Sequence, residues 1–392
     1  MNSKTRKKNF SRTVLVGLLC AGVLSFVVSL WLPASEASDT TPLRYHPPIS
    51  TWTDRLSATQ ALLKAHALQG GFGGVALISK DGEKPHFFSE SSTSPFTLNS
   101  RFRIASLTKQ FTATAILLLE QEGKLRLTDT ACQHIDVFCQ DELKAITLEN
   151  LLRHTSGLKR DSLPVEQLTQ NPQARFATYE QQMRPDNLLP LLFPTGSSES
   201  YSNLAYTTLG RIIEIRSGLR LDKFMRNRFF KPFKMNRSQF IHPENPKLPT
   251  DLIPGTVDGE PIEQDLSFIG RGGSGAVITS AGDLAQWKTA IHSGKLINLD
   301  QARKLFQFDE NQNGLGWKWK QENSFREKGW IWHNGSTFGY SSFWARDPEL
   351  GIDVILLSNQ GEDIDPLGFE IIKALSGRDF KAPVLATPTS GI

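Results

Sequence analysis

The hydrophobic positions of this chain change period several times, and each change marks an element. "TDRLSATQALLKAHALQGG" carries apolar residues at helical spacing and predicts an amphipathic helix ended by Gly70-Gly71. "FGGVALISKDGEKPHFFSE" switches to strand character and predicts a hairpin turning around Asp81-Gly82. A helix follows from Ser106 to Gly123, apolar on most sides through Ile104, Leu107, Phe111, Ala115, Leu118 and Leu119. From there to about Ile269 the pattern is mostly helical with long Pro-rich loops; "LENLLRHTSGL" and "YSNLAYTTLGRIIEIRSG" are its clearest helices. "GDLAQWKTAIHSGKL" is a further helix. Strand character returns in "GWIWHNG", "GYSSFWARDP" and "GIDVILLSN", with turns at Asp347-Pro348 and Gly351, and "PLGFEIIKALSG" predicts a last helix. No internal repeat is visible.

Strands at both ends around a helical middle predict an α+β fold. The early hairpin pairs with the late strands in one antiparallel sheet flanked by the terminal helices, and an all-helical lobe is inserted. The expected boundaries are a single domain over residues 51–380, with a sheet lobe at about 51–105 plus 270–380 and a helical lobe at about 106–269. A linker rich in Thr, Pro and Ser spans 38–50, and a tail spans 381–392. A cleft between two such lobes is the expected place for a site.

The first residues add a different signal. Lys4, Arg6, Lys7, Lys8 and Arg12 precede an uncharged apolar run, Thr13 to Leu32, which is the order of a secretory signal. Ser35 and Ala37 supply the small residues that a signal peptidase requires, so residues 1–37 are read as an export signal, cleaved or retained as an anchor through residues 13–32. A lipoprotein signal is a poor fit, because Leu18-Leu19 precede Cys20. The basic flank stays in the cytoplasm, which places the body in the periplasm or another extracytoplasmic space. Those five cations also explain the net charge of +4: without them, 39 Lys and Arg face 40 Asp and Glu. A nearly neutral body gives no electrostatic case for a nucleic-acid partner. The only membrane contact expected is through the N-terminal segment if it is uncleaved. Cys132 and Cys139, the two cysteines of the body, could close a short disulfide loop in an oxidising compartment. The other reading, a metal site from Cys132, His134 and Cys139, fits no common zinc spacing. Neither metal nor cofactor is expected.

The chemistry starts at Ser106-Leu107-Thr108-Lys109. Residues three apart share a helix face, so the Ser106 hydroxyl and the Lys109 amine point together. A serine becomes a nucleophile when a neighbouring base takes its proton, and lysine serves as that base when burial disfavours its charge. Alone, the pattern is more ordinarily a helix cap beside a snorkelling lysine. It also recurs at Ser156-Gly157-Leu158-Lys159. Two further stretches converge on the first copy. Tyr201-Ser202-Asn203 places a proton-relaying phenol two residues before an amide able to bind a carbonyl. His333-Asn334-Gly335-Ser336 lies in a strand pattern, where Gly335 permits close backbone approach and the next N–H can serve as an oxyanion donor. Taken singly, each is more ordinarily a cap, a packed ring or a satisfied histidine. "GGSGA" at Gly272 to Ala276 approaches a nucleophile-elbow pattern, but Ala276 replaces its last glycine; it is read as a turn entering a strand.

S-x-x-K, Y-x-N and [KH]-x-G in this order resemble the active-site serine penicillin-recognising enzymes. The branch is that of class C β-lactamases, D-alanyl-D-alanine carboxypeptidases, D-aminopeptidases and related serine esterases. "FRIASLTKQFTATAILLLEQEGKLRLTD", "TLENLLRHTSGL", "PTGSSESYSNLAYTTLGRIIE", "GGSGAVITSAGDLAQW" and "WHNGSTFGYSSFWARDPELGIDVILLSN" carry the likeness across most of residues 70–360. The resemblance implies a β-lactamase/transpeptidase-like fold and a serine hydrolase acting through an acyl-enzyme. Ser106 would attack an amide, ester or lactam carbonyl, and Lys109 and Tyr201 would share general-base duty. Asn203 would orient the substrate amide, and the N–H groups of Ser106 and Ser336 would form the oxyanion hole. Ser156-Lys159 would be structural, with His154 a packing or hydrogen-bonding residue. The third motif opens with His333 where β-lactamases of this branch typically have lysine, which looks more like the D-peptidases and esterases. Histidine is charged only part of the time near neutral pH. The implied partner is a small molecule or short peptide. The other function class is a cell-wall or β-lactam sensor that keeps the fold without turnover.

Overall fold

In the computed structural model, residues 51–91, 95–162, 178–262, 269–322 and 328–377 are described. The expected signal or anchor, linker and tail lie outside them. Among the described residues, no helix is long and apolar enough to cross a membrane.

Six antiparallel strands form the central sheet. They are β1 (Gly74–Lys80), β2 (His86–Glu90), β3 (Lys318–Gln321), β4 (Gly329–Thr337), β5 (Tyr340–Asp347) and β6 (Ile352–Ser358). Their order is β2-β1-β6-β5-β4-β3, so the early hairpin does pair with the late strands, through the register Gly74↔Ser358 to Lys80↔Ile352. Alternate residues of each strand face opposite sides of the sheet, and here both sides are covered. Val75, Leu77, Ile355 and Leu357 belong to one core cluster, while Ala76, Ile78, Val354 and Leu356 belong to another. That double burial is why Val75–Ile78 and Val354–Leu357 read as unbroken apolar runs rather than as alternating ones.

The second cluster packs under two helices from the chain's extremes, α1 (Trp52–Leu68) and α5 (Asp365–Ser376). A capping box between Thr51 and Asp54 starts α1, and Gly377 in the left-handed region ends α5. The first cluster packs under α2 (Thr108–Gln121), α3 (Asn203–Ser217) and α4 (Ala281–His292). Every residue of α2 from Thr108 to Leu119 is buried, so α2 runs through the core as its spine.

Three local features differ from the sequence reading. The helix expected from Ser106 is a 3-10 turn, Ala105–Leu107, followed by α2 from Thr108. The middle segment is not purely helical: Gln239–Phe240 and Phe102–Arg103 flank Val277–Thr279 in a small sheet. Edge strand β3 was also unforeseen, although Trp317-Lys318-Trp319-Lys320 alternates apolar and polar residues. Cys132 and Cys139 are joined in a disulfide. Their sulfurs are therefore unavailable as thiolate ligands, which removes the metal reading with His134.

The packing of α5 on the sheet is tight enough to test. A Cβ at Gly368 would lie 2.4 Å from the Phe343 ring on β5. Alanine is the better helix former by about 1 kcal/mol, yet overpacking a core costs about 1–3 kcal/mol. Gly368→Ala is therefore expected to lower the urea unfolding midpoint.

Candidate active site

The 3-10 turn carrying Ser106 is held from three directions. The Ile104 N–H donates to Val277 O at 3.2 Å, and Leu107 N–H donates back to Ile104 O at 3.1 Å. Val277 N–H in turn donates to the Thr108 hydroxyl at 3.1 Å. Between these anchors Ala105 takes φ +43°, a left-handed conformation that non-glycine residues adopt at a cost. Ser106, next in the chain, is left half-buried at the surface of the turn.

Lys109 is fully buried and meets three oxygens. Its Nζ donates to Ser106 Oγ at 3.1 Å, to Asn203 Oδ1 at 2.8 Å and to the Ser274 carbonyl at 2.9 Å. Two of these partners can only accept; the hydroxyl of Ser106 can also donate. An ammonium therefore satisfies all three contacts. A neutral amine satisfies them equally once the Ser106 O–H turns toward its lone pair.

Asn203 begins α3. Ser202 caps that helix, its hydroxyl accepting from Ala205 N–H and donating to Lys159 O. The Asn203 amide is engaged at both ends, because its Nδ2 donates to Asp161 Oδ1 at 3.0 Å while its oxygen accepts from Lys109. The carbonyl-binding amide expected from the sequence thus faces Asp161, and its shown contact is with the lysine. Ser274 supplies its carbonyl from the "GGSGA" turn, which does lead into a strand, Val277–Thr279.

Tyr201 stands over this group. Its ring packs on His154 at 4.4 Å between centroids, and Lys109 Nζ lies 4.8 Å from the ring centre. His154 is buried, and its Nδ1 accepts from the Ser202 N–H at 3.1 Å. Burial first, then the positive charge of Lys109 and Lys318, hold His154 well below the ordinary histidine range. It is a neutral prop for the tyrosine, as a packing residue should be. The rival serine–lysine pair is not assembled. Ser156 Oγ accepts from Leu158 N–H, while Lys159 Nζ donates to Leu189 O at 2.7 Å.

The third motif lies on β4. A Cβ at Gly335 would fall 2.2 Å from Ile104 O and 2.9 Å from Ser106 N. Only glycine allows the strand this close to the turn that carries Ser106, so the approach it permits is by the chain's own backbone. Ser336 follows, exposed, at the end of the strand. His333 is 1% exposed, with its ring centroid 6.2 Å from that of Tyr201. Its Nδ1 lies 2.7 Å from the Asn334 carbonyl, an atom that only accepts, so Nδ1 carries the proton. Burial, then Lys318 and Lys109, push His333 down to about 3. The sequence reading of a part-time cation is therefore corrected. The ring is neutral at pH 7 and offers a lone pair at Nε2.

A positive charge is nevertheless present. Lys318, on edge strand β3 opposite Trp332, places its Nζ 5.0 Å from the Tyr201 ring centre and 5.7 Å from that of Trp332. No described carboxylate lies within ion-pair distance of it. Burial pulls its ammonium down from the ordinary lysine range, opposed by the charges of Glu199 and Asp365. Arg160 approaches the same tyrosine from solvent, 5.1 Å from the ring centre. The sequence reading missed Lys318, Arg160 and Asp161. Only Lys318 had a signal, the period-two pattern of its strand.

A family model described as Beta-lactamase matches residues 57–375, and the chain belongs to that family, whose members are serine hydrolases. "Protein flp" of Staphylococcus aureus (strain N315) is 28% identical over 322 residues, covering 77% of this chain and 62% of the relative's length. The chain thus spans less than two thirds of that relative. Among solved structures, D-amino acid amidase from Ochrobactrum anthropi SV3, complexed with D-phenylalanine, superposes with a TM-score of 0.69. It is 21% identical and covers 82% of this chain and 98% of its own. A class C beta-lactamase gives 0.70 at 19% identity, covering 86% and 100%. These likenesses establish the β-lactamase/transpeptidase-like fold.

His333 makes the pH dependence of stability testable. Its folded value of about 3 lies below the ordinary histidine value of 6.5. As pH falls below about 6.5, the unfolded chain takes up a proton that the folded chain refuses, so stability falls toward pH 3. Thermal unfolding at pH 7 and pH 4.5 should show a larger drop in Tm for the wild type than for His333→Asn.

Proposed function

We propose that this member of the Beta-lactamase family is an exported serine hydrolase that forms an acyl-enzyme on Ser106. Its proposed substrates are D-amino-acid amides and peptides, β-lactams or small esters. The observation that carries the mechanism is the Lys109 contact set: two acceptor-only oxygens and, at 3.1 Å, the Ser106 hydroxyl. With its two N–H groups committed to Asn203 and Ser274, a neutral Lys109 has its lone pair left for the serine proton. Ser106 Oγ then bonds to the carbonyl carbon, and the carbonyl electron pair moves to oxygen. The N–H groups of Ser106 and Ser336 are the proposed donors to that oxyanion. The proton passes by Lys109 and Tyr201 to the leaving nitrogen or oxygen, which departs as the acyl-enzyme forms. Water repeats the sequence in reverse, leaving a carboxylic acid and free Ser106.

Substrate preference follows from charge. A neutral His333 cannot attract a carboxylate as a fixed lysine would. Lys318 is the cation best placed to do so, by Tyr201 and without an ion-pair partner among the described residues. The D-amino acid amidase and a D-stereospecific amidohydrolase from Streptomyces sp. share the fold. Both are named as amide hydrolases of D-configured substrates, which favours such amides here. Export is supported by the basic and apolar N-terminal residues together with the disulfide.

Intact-protein mass after exposure to a fluorophosphonate should show an adduct that Ser106→Ala abolishes and Ser156→Ala retains. A folded wild type that gains no mass from fluorophosphonate or penicillin would overturn the acyl-enzyme reading. Parallel turnover assays with a D-alanyl peptide, a short-chain ester and a chromogenic cephalosporin identify the substrate. A stable adduct without product in all three would assign the chain to the sensor class instead.

Lys318→Ala should raise KM for the carboxylate-bearing peptide about tenfold, equivalent to about 1.4 kcal/mol, and leave the neutral ester within a factor of about two. His333→Lys should raise the ratio of cephalosporin to ester hydrolysis. An unchanged ratio would refute the charge assignment.

A further inference from the structure

We propose that Ser342 is a positioning residue that sets the spacing between the two backbone amides facing the Ser106 adduct. This rests on the acyl-enzyme reading above and deepens it. Ser342 lies on β5, directly across the ladder from Gly335, and is 1% exposed. Its hydroxyl donates at 2.8 Å to Ile104 O, and Gly335 O lies 3.4 Å away. One buried hydroxyl thus reaches both the turn that carries Ser106 and the strand that carries Ser336.

The surrounding geometry leaves this contact little slack. Ile104 O is also the acceptor that closes the 3-10 turn, and the Ile104 N–H is tied to Val277. The residue between Ile104 and Ser106 is held at positive φ. A Cβ on Gly335 would meet Ile104 O at 2.2 Å and Ser342 Oγ at 2.5 Å, so turn, strand and hydroxyl already touch. Removing the hydroxyl leaves Ile104 O with one donor fewer and lets the strained turn relax away from β4. The Ser106 N–H moves with the turn, whereas the Ser336 N–H moves with the strand. An oxyanion hole tolerates little separation of its donors, because hydrogen bonds weaken steeply off their ideal geometry. Ser342 touches no substrate in this scheme; it acts through Ile104 and Gly335.

The test uses the full chain with Ser342→Ala, Ser342→Cys and, as a control, Ser341→Ala. Ser341 is the adjacent buried serine, and its hydroxyl donates to Glu362 O instead. With a short-chain ester, Ser342→Ala should lower kcat on the order of tenfold and keep KM within a factor of about two. Affinity for phenylboronic acid, which forms a tetrahedral anion on a serine oxygen, should fall by a similar factor. Ser342→Cys is slightly larger and a weaker donor, so it should move both quantities in the same direction even if the alanine variant does not fold. Ser341→Ala should lower Tm comparably and move neither. The inference is overturned if the Ser342 variants keep kcat and boronate affinity within a factor of about two of wild type, or if Ser341→Ala loses as much. Its failure is distinct from failure of the acyl-enzyme reading. In that case the wild type itself forms no fluorophosphonate adduct, and the premise is lost with it.

Discussion

A lysine amine sealed inside the protein must find partners, and Lys109 finds them on three segments far apart in the chain. Ser106 lies three residues away, Asn203 lies 94 and the Ser274 carbonyl 165. An unpaired buried cation would cost several kcal/mol, so this requirement fixes where the start of α3 and the 269–274 turn meet α2. The half of the molecule that contains the site is organised around satisfying one nitrogen. Asp161 extends the arrangement by holding the Asn203 amide so that its oxygen faces the lysine.

Much of this was legible in the residues because the signals are local. β1 and β6 are apolar runs bounded by turn residues, and the helices carry recognisable caps at Thr51, Ser202 and Ser280. The order Ser106-Lys109, Tyr201-Asn203, His333-Gly335 was readable because each group needs only short spacing. What escaped depends on tertiary approach. A backbone carbonyl such as that of Ser274 leaves no compositional trace, since every residue has one. The 3-10 geometry at Ser106 arises from anchors at Val277 and β4 that sequence periodicity does not encode. β3 is four residues long with Trp319 its one apolar residue, short enough to pass for loop beside the stronger pattern of β4.

The electrostatics of the cleft follow the same division between neutral and charged supports. His154 and His333 are buried, and their shifts make them uncharged packing partners of Tyr201. Lys109, Lys318 and Arg160 approach the same ring at 4.8, 5.0 and 5.1 Å. Cations over an aromatic face are attracted by its quadrupole, so the tyrosine gathers positive charge, with Asp161 3.7 Å from Arg160 as a partial counter-charge. Burial keeps the two imidazoles from adding to that charge.

The left-handed backbone at Ala105 bears on how the protein could be made more robust. A non-glycine residue in that region forgoes about 1–2 kcal/mol, a useful reserve to an engineer seeking thermal resistance. Recovering it would let the serine settle into an ordinary helix start, away from the strand it now faces. If Ser106 is the acylated serine proposed above, stabilisation and activity are opposed at this residue. Gains in heat tolerance are better sought on the other side of the sheet, where α1 and α5 pack without touching Ser106.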